Sequence, residues 1–191
     1  MPCANDRTQT CSRWLGCALV FVCIGFAGWS GALAVTVPAA SGGLSGNWTN
    51  TAADQGRAAI ERSVDQAIAD MFGLARPTAR SRLKASNPPI AKLAISIAPG
   101  RIRVDLGHGR DAAAAPSSWQ PAKSVTGDEI RVRYSALSER LLKMESTSDG
   151  GSGRHTFQLS DNGSQLKHEV RIESSHLPKD VRYVLNYRRA P

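Results

Sequence analysis

Cysteine is missing from most of this 191-residue chain: there are only four, Cys3, Cys11, Cys17 and Cys23, and all lie near its start. Residues 24–191 therefore offer no disulfide partner and no thiolate ligand for a metal. The chain also lacks any internal repeat of about 20–50 residues, which excludes solenoids and propellers. The remainder must fold around an apolar core of its own.

The motifs of catalysis and cofactor binding are missing too. The sequence has no His-Glu-x-x-His, no Walker A loop, no dinucleotide fingerprint and no Gly-x-Ser-x-Gly elbow. We therefore predict a protein that is not an enzyme and that binds no cofactor and no metal. A hydrolase of unknown type stays open as an alternative, because serines are plentiful.

Aromatic side chains, on which the bases of nucleic acids stack, make up only 6% of the chain. This scarcity, together with the export signal described next, predicts that nucleic acid is not a partner.

The start of the chain has the features of a secretion signal. Arg7 and Arg13 precede an apolar run from Leu15 to Ala27. Ala32-Leu33-Ala34 follows with the small-x-small pattern that a signal peptidase recognises. We predict a signal peptide over residues 1–34 and an exported protein, periplasmic or extracellular after cleavage.

One alternative for this region is an uncleaved anchor in the inner membrane, formed by residues 14–35, because about 20 apolar residues can cross a bilayer. In either case small residues over 35–43 are typical of a linker. We predict a single domain over residues 44–191.

Basic side chains outnumber acidic ones by 24 to 16, a formal charge of +8. Without Asp6, Arg7 and Arg13 the counts are 22 and 15, so residues 35–191 carry +7. A positive surface concentrates anions such as lipid headgroups. The cations cluster on one predicted helix and one predicted strand: Arg76, Arg80, Arg82 and Lys84 on the helix, Arg131 and Arg133 on the strand.

Residues 52–86 are predicted to form a helical segment. Apolar residues recur there every three or four positions, which places them on one helix face: Ile60, Val64, Ile68 and Met71. Gly73 and Pro77 predict a break or kink within the segment. A single apolar face needs a partner, so we expect this segment to lie against a sheet.

The chain after Ile90 alternates between apolar and polar residues, as strands do. A turn at Pro99-Gly100 would pair Ile95 with Val104. A turn at Asn162-Gly163, a strong hairpin signal, would pair Phe157 with His168.

A third hairpin is predicted around residues 176–179, which would pair Val170 with Leu185 and His168 with Tyr187. Further strands are expected around Ile130–Tyr134 and over residues 140–146. The signal between Gly107 and Gly127 is poor, with a short strand indicated over residues 119–125.

With residues 44–50 as the first strand, the pattern predicts a mainly β (α+β) fold of about eight or nine antiparallel strands. The strands follow one another in an up-and-down meander with one apolar face. Such a meander closes into a barrel or curves strongly around the helical segment to bury that face.

The sequence Gly46-Asn47-Trp48 at the head of this strand series resembles the Gly-x-Trp that opens lipocalin-like barrels. In lipocalins an arginine near the end of the chain packs over that tryptophan. The resemblance implies the same contact here between Trp48 and Arg189, which shares the inward parity of the last strand. The helical segment after the first strand departs from the lipocalin pattern.

A candidate ligand-binding site follows from the inward positions of the strands. His155, His168 and Tyr187 gather on the last hairpins, and His155 lies diagonal to His168, within about 7–8 Å. Tyr183 and Tyr134 share the inward parity. One interpretation is a polar spot in an apolar pocket; the other is a pair of core histidines satisfied by Tyr187 and the backbone.

Two functions compete on this evidence. The first is an exported, non-enzymatic, lipocalin-like protein of the cell envelope that holds an apolar or amphipathic small molecule. The second is an envelope interaction protein with a filled core, whose basic face binds anionic lipid, lipopolysaccharide or an acidic partner. An apolar cavity of about 300 Å³ or more favours the first.

Overall fold

The computed structural model describes residues 43–107 and 111–191. The chain divides into two units, Met1–Ala34 and Val35–Pro191, and every described residue belongs to the second. The predicted signal peptide over residues 1–34, the alternative anchor over 14–35 and all of the predicted linker except Gly43 lie outside the described residues. Within the described ranges, no helix has the length and apolarity needed to span a membrane.

The described residues form ten strands and two helices. In chain order they are β1 (Gly46–Asn50), α1 (Ala53–Ala67), α2 (Arg76–Ser86), β2 (Lys92–Ala98), β3 (Arg101–Asp105), β4 (Asp111–Ala114), β5 (Gln120–Lys123), β6 (Glu129–Ser138), β7 (Leu141–Ser148), β8 (Gly151–Leu159), β9 (Gln165–Glu173) and β10 (Val181–Arg189).

The strands form one antiparallel sheet in the order β4-β3-β2-β1-β10-β9-β8-β7-β6-β5. Every neighbour is adjacent in sequence except β1 and β10, which pair through Trp48 and Arg189. The two edge strands, β4 and β5, are consecutive in the chain and meet at the seam of a nearly closed barrel. An isolated bridge from Pro116 to Tyr134 of β6 lies at the same seam. The predicted mainly β meander with helices packed on it is confirmed.

The registers of two predicted hairpins are confirmed. Ile95 lies opposite Val104 and Ile97 opposite Ile102. On the second hairpin, Phe157 lies opposite His168. In both cases the apolar side chains of the two strands fall on one face, so a slip by one residue would expose the core.

The register predicted for the third hairpin is wrong by two residues. Leu185 lies opposite His168 and Tyr183 opposite Val170. The turn is centred one residue earlier than expected, because the amide of Leu177 donates to the carbonyl of Ser174, 3.1 Å away. A shift of two residues preserves parity, so the inward side chains of β10 remain those that the sequence predicts.

The sheet has one or two strands more than the eight or nine predicted. The strand that was not predicted is β4, which lies between Gly107 and Gly127, where the sequence signal is poor. Its residues are Asp-Ala-Ala-Ala, which have low strand propensity, and its pairing with β3 defines it. Despite their low strand propensity, Gly151 and Gly153 belong to β8.

The helical segment is two helices, separated at residues 68–75, where the sequence predicts a break. The apolar face of α1 is buried through Ile60 and Val64, and Ile68, the residue after the helix, is buried as well. Gly56 lets α1 approach β10, since a Cβ there would lie 2.9 Å from Leu185 Cδ2. The Oγ of Ser63 also accepts from the amide of Arg182 at 2.6 Å. In contrast, α2 buries none of its residues.

Trp48 and Arg189 join the first and last strands. The Cζ atom of Arg189 lies 4.4 Å from the Trp48 ring centroid, as the lipocalin resemblance implies. The Arg189 guanidinium also donates to the carbonyls of Ser45 (2.9 Å) and Gly43 (2.8 Å). Gly46 has φ +142°, a conformation that other residues rarely adopt, and a Cβ there would also lie 2.6 Å from Arg189 Nη1.

Replacing Arg189 with Met should lower the free energy of unfolding by about 2 kcal/mol, because the ring contact and two hydrogen bonds to backbone carbonyls are lost. Urea unfolding measures the loss. The matched control is Arg188→Met, at the exposed neighbouring position, which should change stability by less than about 0.5 kcal/mol. Equal effects of the two substitutions would show that the stacked arginine has no special role.

Candidate functional site

Side-chain size falls along the inner face of β7 and β8. On β7 the inner residues run from Leu142 through Met144 to Ser146, and on β8 from Phe157 through His155 to Gly153. At the end with Leu142 and Phe157 the inner side chains are large, and both are completely buried. The opposite end holds only small side chains on these strands, so a space remains there.

That space is a cavity of about 190 Å³ between the sheet and the end of α2. Apolar side chains contribute most of its wall. They come from β3, β4, β6, β7, β9 and the residue after β3, and include Val104, Leu106, Ala112, Val132, Met144 and Ile172. Its polar lining includes Asn87, Ser146, Ser148 and His155. Lys123, which is exposed, also borders the cavity, so it reaches the surface beside β5.

The two candidate histidines form a pair inside the barrel. Nδ1 of His155 lies 3.0 Å from Nε2 of His168, so one ring donates a hydrogen bond to the other. The facing nitrogens cannot both carry a hydrogen while this bond exists. His168 is completely buried and stacks on Phe157, with ring centroids 4.4 Å apart. His155 is 9% exposed and faces the cavity.

The candidate tyrosines use their hydroxyl groups to join elements of the fold. The Tyr183 hydroxyl donates to Oδ1 of Asn87 at 3.1 Å, and the Tyr187 hydroxyl to the carbonyl of Ile90 at 3.1 Å. Both bonds tie β10 to the connection between α2 and β2. The Tyr134 hydroxyl donates to the carbonyl of Ala112 at 2.7 Å, and so links β6 to β4 across the seam.

Of the five candidate ligand-binding residues, the structure places His155 on the cavity and the other four in the surrounding core: His168, Tyr134, Tyr183 and Tyr187. Ser146 and Gly153 also line the cavity and are not among the residues predicted from the sequence. The alternation of inward and outward residues along a strand could have identified them, because Gly153 lies two positions before His155 and Ser146 two positions after Met144. A Cβ at Gly153 would lie 2.6 Å from Ser146 Oγ, so each residue depends on the small size of the other.

The C-terminal end of α2 also borders the cavity. Ser86, which is exposed, and Asn87, which is buried, both line it, and the Asn87 amide donates to the carbonyl of Leu83 at 2.9 Å. Asn87 is therefore held from both sides, by Leu83 and by Tyr183. This side of the cavity thus adjoins a helix that has no buried residue of its own.

Charged side chains on the outer face of the sheet alternate in sign. Glu145 lies between Arg133 and Arg154, and the hydrogen bond from Arg133 holds the pKa of this carboxyl below its usual range. Hydrogen bonds from Arg182 and Arg171 likewise lower the pKa of Asp180. Arg131 and Arg133, predicted to share a face, both lie over the Trp119 ring. This face is therefore mixed in charge rather than a uniform basic surface.

Among the described residues, no group of three or more His, Cys, Asp or Glu side chains is arranged to hold a metal ion. No protein-family model matches the sequence, and no curated protein matches it either.

Solved structures resemble the chain in fold at low sequence identity. A fatty acid binding protein of Schistosoma mansoni in complex with arachidonic acid is 11% identical, with a TM-score of 0.49 over 79% of this chain and 98% of that one. Fatty-acid-binding protein 1 of Echinococcus granulosus is 11% identical, with a TM-score of 0.49 over 77% and 97%. A luciferase domain of the dinoflagellate Lingulodinium polyedrum is 14% identical, with a TM-score of 0.50 over 76% and 41%.

These neighbours are mostly β-barrels of the fatty-acid-binding-protein kind, and one is an enzyme domain. At such identities the likeness concerns the fold alone. It assigns neither a ligand nor a reaction to this chain.

Replacing Tyr134 with Phe should loosen the seam, because the hydrogen bond from β6 to the Ala112 carbonyl is lost. We expect a loss of about 1 kcal/mol in the free energy of unfolding and faster native-state hydrogen exchange in β4. Tyr183→Phe is the control: it removes a buried hydroxyl that bonds to Asn87 rather than to β4 and should leave β4 exchange unchanged. Unchanged β4 exchange in Tyr134→Phe would contradict this role.

Proposed function

We propose that the protein binds a small apolar or amphipathic molecule in the cavity beside Met144 and His155. One observation carries this proposal: the inner face is filled at one end of the barrel and left open at the other. Close packing is the rule in protein interiors. A space lined mainly by apolar side chains, with a few polar groups and an opening, is the usual form of a ligand site.

The size of the cavity limits the ligand. Its volume of about 190 Å³ does not reach the value of about 300 Å³ taken above as favouring a barrel that encloses its ligand, which is the lower end of the range for drug-sized ligands. The ligand is therefore either small or inserts only its apolar part. His155 and Ser146 can orient a polar atom within the cavity, and Lys123 at the mouth suits a polar or anionic end left near the surface.

The alternative function predicted from the sequence, an interaction protein with a filled core, matches the half of the barrel that does not contain the cavity. Trp48, Phe157, His168 and Tyr187 are each completely buried, and none of them lines the cavity. A binding function therefore depends on the half built from Ser146, Gly153 and their neighbours.

A substitution that fills the cavity tests the proposal. Ser146→Leu places an apolar side chain in the space and should lower the affinity for a probe such as octanoate or octanol by about tenfold or more. Titration calorimetry measures both probes, and octanoate should bind more tightly if Lys123 contacts the carboxylate. Mass spectrometry of molecules that remain with the natively purified protein identifies the natural ligand.

The control for Ser146→Leu is Thr156→Leu, on the outer face of β8, which should bind both probes like the wild type. Circular dichroism verifies that both variants fold. Equal binding by the two variants, or no binding of either probe by the wild type, would contradict the proposal.

We also propose that the protein acts outside the cytoplasm, after cleavage behind Ala34. The support is the sequence of the first 34 residues, with its cationic start, apolar core and Ala-x-Ala. N-terminal sequencing of the protein from its host should begin at Val35. A chain that starts at Met1 and sediments with membranes would instead support the anchor formed by residues 14–35.

A further inference from the structure

Two large apolar side chains are turned toward solvent at one end of the helical pair. Phe72 is 85% exposed and Leu74 89% exposed, whereas Leu137, the next most exposed large apolar side chain among the described residues, is 53% exposed. Both belong to the connection between α1 and α2, which we name the 69–75 loop. Exposure of two neighbouring side chains of this size is unfavourable in water and calls for a partner.

The 69–75 loop is held in this conformation by contacts at its base. The guanidinium of Arg76 donates to the carbonyls of Ala69 (2.7 Å) and Met71 (3.1 Å). Lys179 forms an ion pair with Asp70 at 2.8 Å. Met71 is packed against the core. The exposed pair is thus presented by a fixed turn.

The helix that follows the loop supplies positive charge. α2 contains four cations and no acidic residue. Arg80 pairs with Asp65 and Lys84 with Glu61, yet each of these four side chains remains nearly half exposed. Arg82 is exposed and has no ion pair among those found in the described residues. Apolar tips beside exposed cations suit the boundary between lipid headgroups and acyl chains.

We propose that the 69–75 loop and α2 form a docking surface for an anionic phospholipid bilayer, in which Phe72 and Leu74 insert and the α2 cations contact headgroups. A second copy of the chain fits less well. A twofold contact through this surface would place the cations of one α2 against those of the other, and like charges repel. The proposal is independent of a ligand in the cavity.

Hydrogen exchange of the full chain, read peptide by peptide, locates the contact. With vesicles of phosphatidylcholine and phosphatidylglycerol, residues 69–86 should exchange about fivefold more slowly or better. With pure phosphatidylcholine the protection should be much weaker, since each cation near an anionic surface contributes about fivefold in binding. If the chain binds vesicles through another segment, such as its first 34 residues, exchange in residues 69–86 is not slowed. The measurement therefore distinguishes the proposed surface from other sites of binding.

The double variant Phe72→Ser/Leu74→Ser should lose this protection, because burial of each side chain is worth about tenfold or more in affinity. Its control is Leu137→Ser, an exposed apolar position outside the surface, which should behave like the wild type. Arg82→Gln should weaken the protection about fivefold, whereas Arg188→Gln on the barrel wall should not.

Three outcomes would overturn the proposal. Residues 69–86 show no protection with anionic vesicles; the double variant is protected as well as the wild type; or protection is the same with both vesicle types. Light scattering tests whether two copies of the chain associate through this surface instead. A dimer that forms without vesicles and is lost in the double variant would show that the partner is a second copy of the chain.

Discussion

The close packing of the barrel interior is the constraint on which the site depends. Inner positions of β7 and β8 decrease in size from Leu142 and Phe157 to Ser146 and Gly153, while the strand spacing stays fixed by backbone hydrogen bonds. The barrel cannot narrow to follow the smaller side chains, so space is left at one end. The filled end supplies stability, and the open end is where a ligand can enter.

Closure of the sheet follows from contacts between residues distant in sequence. Arg189 stacks on Trp48 where the first and last strands pair, and the Tyr134 hydroxyl reaches the Ala112 carbonyl across the seam between the two edge strands. The same elements position the helices, because Tyr183 and Tyr187 join β10 to the residues after α2. The three candidate tyrosines and His168 thus form the cavity's surroundings, and His155 faces the cavity itself.

Much of the fold could be predicted from the alternation of inward and outward side chains along each strand. The errors arise where this alternation carries no information. Alternation placed Ile95, Phe157 and Leu185 inward correctly even where the third hairpin is shifted by two residues, since an even shift keeps the face. It could not reveal β4, whose small residues have low strand propensity. The tyrosine and histidine partners depend on three-dimensional proximity. The cavity results from small residues at inward positions, and neither a motif nor a hydrophobic pattern distinguishes such residues in the sequence.

Xenon binding followed by methyl NMR tests most directly the claim that the interior is filled at one end and open at the other, because xenon enters empty apolar cavities. The account predicts shifts for the methyl groups of Met144, Val132 and Ile172, and none for Leu142, Leu159 and Leu166. Shifts at the latter three, or none anywhere, would contradict it.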